Sequence, residues 1–136
     1  QSPLPLAAVV AMFLLRSGRR ELAEEYVAGH PVDLGHDDWF AMLTWCSAAE
    51  VALELDDRDL AVRTYERLAP FEGYSCCAGS GVALGPVDAF LALAAAAGGE
   101  KEVAARHAER ALEICEEWQV PLAAQWLRDQ RDRFGF

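Results

Sequence analysis

Residues 39–70 read WFAMLTWCSAAEVALELDDRDLAVRTYERLAP, and the alternation of large, small and acidic residues in them decides the fold. Trp39, Met42, Leu43, Cys46, Ala49 and Leu53 recur at the spacing that places them on one face of an α-helix. His36-Asp37-Asp38 just upstream is expected to open that helix. Asp37 would accept bonds from the free N–H groups, and both acids suit the positive end of the dipole. Asp56-Asp57-Arg58-Asp59 then reads as a tight turn whose acids cap a second helix, Leu60–Leu68, which Pro70 stops. Trp45 stands sixteen residues before Ala61, and Tyr65 follows Ala61 by one helical turn. Small residues at a crossing let two helix backbones approach closely, so this stretch predicts a tight helical hairpin.

The same grammar extends in both directions. Leu4–Arg16 is an apolar run closed by Ser17-Gly18, and Glu21–Ala28 ends at Gly29 with Pro31 behind it. Glu72–Gly85 interrupts the helical pattern with four glycines, and Tyr74–Cys77 with Ser80–Leu84 fits a short hairpin. Pro86 suits the first position of a helix over Val87–Ala97, closed by Gly98-Gly99. Glu100–Trp118 carries Val103, Ala104, His107, Ala108, Ala111, Leu112 and Cys115 on one face, and Pro121 starts a last helix over Leu122–Arg133. The expectation is an all-α domain over 1–136 of about seven helices with one Gly-rich loop or short β-hairpin. Its helical hairpins cover about 4–29, 37–69 and 86–118, its terminal helix is 122–133, and its insertion is 72–85.

Composition narrows the function classes. The 136 residues carry 12 basic and 22 acidic side chains, a net charge of −10 with 53% hydrophobic residues. Such a chain repels phosphate backbones and can bury a core, so neither nucleic-acid binding nor overall disorder is expected. Surface scaling gives about 7,000 Å² for the folded chain. The longest apolar run is too short to span a bilayer, so no membrane association is expected. It lacks the basic lead-in and small-residue cleavage site of a signal peptide. Cys76 and Cys77 are adjacent and can hardly pair with each other, while Cys46 and Cys115 sit in helical patterns; these thiols read as reduced, in a cytoplasmic protein. Twenty-five alanines and eleven Arg to one Lys fit a GC-rich bacterial genome, and a start without Met reads as a piece of a longer chain.

Three hairpins of similar length invite a search for an internal period. Beside Trp45, Ala49 and Ala61–Tyr65 in the second hairpin, Leu91 and Ala92 face Ala104, Ala108 and Ala111 in the third, and Val10 and Ala11 face Ala23 and Val27 in the first. This resembles the tetratricopeptide repeat, with the Ala anchors at 23, 61 and 104 separated by 38 and 43 residues. Asp88 departs from the motif, which prefers a large apolar residue there. The alternative is an irregular bundle with alanine-rich contacts.

From Trp39 to Arg133 the chain also resembles the C-terminal helical-repeat region of actinobacterial LuxR-type or signal-transducing-ATPase regulators. The likeness rests on Asp38-Trp39, on Arg63–Phe71, on Val82–Val87 and on His107–Glu113. That resemblance implies a tetratricopeptide-like superhelix acting as a non-catalytic interaction or sensor module in a transcriptional or signalling regulator. Nucleotide and DNA binding would lie on other segments, and this chain holds neither a phosphate loop nor a basic reading helix.

In such a superhelix the first helix of each hairpin lines a concave face. The residues expected there are Met12 from the first hairpin, Leu43, Cys46, Glu50, Leu53 and Glu54 from the second, and Leu93 from the third. An apolar groove of this kind suits a helix from a partner or from the same polypeptide. The second expectation is a small-molecule cavity near Trp39, Trp45 and Tyr65. The first helix is apolar nearly all round, so it is expected to be covered by another repeat or by a second copy in a homodimer through residues 4–16.

Chemistry finds little support. Acids at 37–38 and 56–59 read as caps, Gly79-Ser80-Gly81 has the wrong spacing for a nucleophile elbow, and His107 reads as a satisfied core histidine. Cys76-Cys77 lacks a second ligand pair at metal spacing in the sequence, and a thiol enzyme using either residue is the weakest reading. No enzyme activity, metal or cofactor is expected.

Overall fold

A computed structural model describes residues 6–78 and 82–136. Among them are seven helices, Ala7–Arg16 (α1), Arg20–Gly29 (α2), Ala41–Glu54 (α3), Arg58–Leu68 (α4), Val87–Ala97 (α5), Lys101–Trp118 (α6) and Pro121–Phe134 (α7). Two strands, Ser75–Ala78 (β1) and Val82–Pro86 (β2), form an antiparallel hairpin in the insertion. The all-α fold with one short β-hairpin is therefore the observed one. Its exposed surface of 7390 Å² is close to what size alone dictates.

Helices pair as consecutive hairpins, α1 with α2, α3 with α4, α5 with α6, and the hairpins stack through α1 on α3 and α3 on α5. Alanine makes the crossings. Ala61, Ala104, Ala108 and Ala111 are fully buried, as are Ala49 and Ala92. Asp57 caps α4 by accepting from the Leu60 N–H at 3.1 Å, which removes one of the helix's free donors.

Two local expectations are corrected. α3 starts at Ala41, later than His36–Asp38 suggests, because the acids upstream close turns of their own. Asp33 accepts from the Gly35 N–H at 2.8 Å and Asp38 from the Phe40 N–H at 2.9 Å. Such local bonds offer the backbone an alternative to helix. Pro86 ends β2 in an extended conformation as the residue before α5, one position earlier than the first helical turn. The start of the first helix at Leu4 and the Ser80-Gly81 part of the hairpin lie outside the described residues.

The off-pattern residue Asp88 has a structural role. Its side chain is buried in the first turn of α5 and accepts from the Gly73 N–H at 2.7 Å. That bond ties the insertion to the repeat that follows it. The α6–α7 turn is made by Gln119 in the left-handed conformation (φ 57°), which sends α7 back across the stack.

Candidate functional site

α7 crosses the face that the first helices of the hairpins form. Trp126 packs on Phe90 of α5 with ring centroids 5.5 Å apart. The Arg16 guanidinium, at the end of α1, lies over the Trp126 ring at 4.8 Å. Arg133 donates to both Glu54 oxygens of α3 at 2.7 and 3.2 Å. One helix thus touches α1, α3 and α5 through an aromatic residue, a cation–π contact and a bidentate ion pair.

The residues expected to line an open concave groove are consequently interior. Met12, Cys46 and Leu93 are fully buried, Leu43, Glu50 and Leu53 nearly so, and Glu54 is half-buried under Arg133. The expectation of a free groove here is corrected: neighbouring helices, α7 and β1 fill it. The sequence shows the right residues on one face but not what lies on top of them.

At the edge of that face a cleft of about 350 Å³ remains, lined by Leu15, Arg16, Glu50, Glu54, Trp126, Gln130 and Arg133. Glu50 is 2% exposed and receives Arg16 Nε at 2.9 Å and Nη2 at 2.7 Å. Burial pushes the Glu50 carboxyl above its ordinary range, and the Arg16 bonds pull it back only in part. Gln130 Oε1 is buried in α7 with no hydrogen-bond partner among the described residues. A buried, unpaired carbonyl oxygen is costly, and here it borders a cavity. Nothing in the local pattern around Gln130, Arg16 or Arg133 marks these residues. Their signal is complementarity with Glu50 and Glu54, which only the return of α7 reveals.

The aromatic trio does not form one cavity. Trp39 is 66% exposed and meets Phe40 edge-on. Trp45 is buried, donates from Nε1 to the Leu34 carbonyl at 3.2 Å and packs on Phe71. Tyr65 lines a separate groove of about 320 Å³ together with Val62, Ala94, Ala95, Gly98 and Val103. Its hydroxyl shares a 2.7 Å hydrogen bond with His107 Nε2. Burial lowers the His107 pKa, so the neutral ring is favoured as a partner for the phenol.

Among the described residues no group of three or more His, Cys, Asp or Glu side chains is placed to hold a metal ion, and no helix is long and apolar enough to cross a membrane. Gly79-Ser80-Gly81 lies outside the described residues. Searches of family models, curated proteins and solved structures find no match to this chain.

Proposed function

We propose that this chain is a non-catalytic helical-repeat interaction module, of the kind its resemblance to bacterial transcriptional and signalling regulators implies, working in the cytoplasm. The groove of its stack is taken by its own α7, which acts as an intramolecular helix. The surface proposed for a partner is the outer face of α1. One observation carries this reading: Leu6 at the N-cap of α1 and Phe13 within it are 41% and 56% exposed, while Ala8, Ala11 and Met12 of that helix are sealed inside. Leu22 on α2 adds a further exposed apolar side chain. Large apolar side chains exposed together on one face are suited to being covered, and a second copy of the chain is the cover proposed here.

Light scattering across concentration tests it. The expected result is a mass that doubles with concentration in the parent chain and stays monomeric in Phe13→Asp. A parent that remains a monomer throughout removes the self-docking reading.

A second reading, a small-molecule effector site, is favoured by Gln130. Its unpartnered Oε1 beside the Glu50–Arg16 cleft would accept from an N–H or O–H of a ligand. A metabolite screen read by thermal shift is expected to find compounds that raise the melting point of the parent and not of Gln130→Leu. No shift with any compound ends this second reading.

A further inference from the structure

The fold brings Cys76 of β1 against a turn of α3 that already carries two sulfur atoms. Met42 and Cys46 are one turn apart on α3, and the Cys46 Sγ lies 3.9 Å from the Met42 Sδ. Cys76 of β1 faces the same turn, its Sγ 4.0 Å from the Met42 carbonyl oxygen. Burial, and then the neighbouring Cys76 side chain, push the Cys46 thiol well up from its ordinary value. Both cysteines are fully buried, while Met42 is half-buried. Residue alternation at a bulge between Cys76 and Cys77 leaves the Cys77 thiol exposed next door.

Metal–sulfur bonds of about 2.3 Å place the sulfurs of a trigonal site about 4 Å apart, which is the observed spacing of the Cys46–Met42 pair. Two thiolates and a thioether are soft donors, the set that selects a monovalent d¹⁰ ion such as Cu(I) or Ag(I) over Zn²⁺ or Mg²⁺. We propose that Met42, Cys46 and Cys76 form a binding site for one soft monovalent metal ion, with Cys77 as the surface thiol that first receives it. Binding forms three metal–sulfur bonds and breaks two S–H bonds, whose protons leave to solvent. The metal's oxidation state does not change, and the complex carries one net negative charge. This site does not depend on the partner-docking reading of α1.

The test uses the full chain carrying Cys77→Ser, so that the exposed thiol is not counted. Cu(I) is supplied anaerobically as its bicinchoninate complex, with protons followed by indicator in weak buffer. The expected result is one Cu(I) withdrawn per chain and two protons released per ion. Cys46→Ala and Cys76→Ala are expected to abolish the transfer. Met42→Leu, which conserves volume, is expected to weaken it at least about tenfold, with helicity by circular dichroism unchanged. X-ray absorption of the loaded Cys77→Ser chain provides a readout independent of the other variants, and three sulfur neighbours are expected. No withdrawal by Cys77→Ser, undiminished withdrawal by Cys46→Ala and Cys76→Ala, or a shell of only two sulfurs would overturn the site.

Discussion

α2 and α5 are helices of almost equal length in the same kind of hairpin, yet ten of the eleven residues of α5 are buried and only Ala23 of the ten in α2. α5 is packed against α3, α4 and α6, whereas α2 rests mainly on α1. Place within the hairpin and position in the stack both separate them: α5 is a first helix between neighbours, whereas α2 is a second helix, and a repeat gains most of its burial from its neighbours. The chain therefore has a stiff centre and a lightly held edge, and the edge is where the exposed apolar side chains of α1 and α2 gather.

The sharpest way to break this contrast is to remove a large side chain on each side. Phe90→Ala in α5 empties a fully buried site against Trp126 and is expected to lower stability by about 4 kcal/mol. Leu22→Ala in α2, 45% exposed, is expected to change it by less than about 0.5 kcal/mol. Urea unfolding of both variants checks the difference. Equal losses would mean that the edge hairpin is as tightly held as the centre.

Arg16 joins the two regions, because it stands at the end of α1 and reaches Glu50 of α3 and Trp126 of α7. Arg16→Met leaves a buried carboxylate without its partner, and about 3 kcal/mol of stability is expected to go at neutral pH. The pH dependence has a definite sign. Burial already raises the Glu50 pKa above its unfolded value, so this group favours the fold at low pH and loses that contribution as pH rises through its folded pKa. Loss of Arg16 raises that pKa further. The deficit of the variant is thus largest at high pH and shrinks as pH falls through the two folded pKa values, both above the ordinary carboxylate range, so paired unfolding curves at pH 7 and pH 4 would show a smaller gap at pH 4.

A loss smaller than those at Phe90 and Arg16 is expected at the α4 cap. Asp57→Ala removes the bond to the Leu60 N–H and is expected to cost about 1 kcal/mol by thermal melting, a test of how far the second hairpin shares the stiffness of the third.

Much of the fold was legible along the chain. Val87–Ala97 is read with its true ends because Pro86 and Gly98-Gly99 mark both of them, and the buried alanines at 61 and 104 are read from their spacing. The start of α3 was not legible, because Asp33 and Asp38 compete for backbone donors in a way that looks the same as capping in sequence. The state of the groove was not legible either. Its closure rests on pairs such as Arg133 with Glu54, which lie 79 positions apart, and hydrophobic periodicity encodes only which face is apolar. The meeting of Cys46 with Cys76 is hidden for the same reason: a loop return, not a local motif, creates it.

The order of synthesis gives the placement of α7 a further meaning. As the chain leaves the ribosome, α1, α3 and α5 are complete while Trp126, Leu127 and Arg133 are still being added. Until they arrive, Phe90 and Glu54 have no lid, and a nascent chain stalled before residue 120 displays an oily, acidic trough of the sort that chaperones bind and that aggregates grow from. The arrival of α7 is thus what turns that sticky trough into a covered surface.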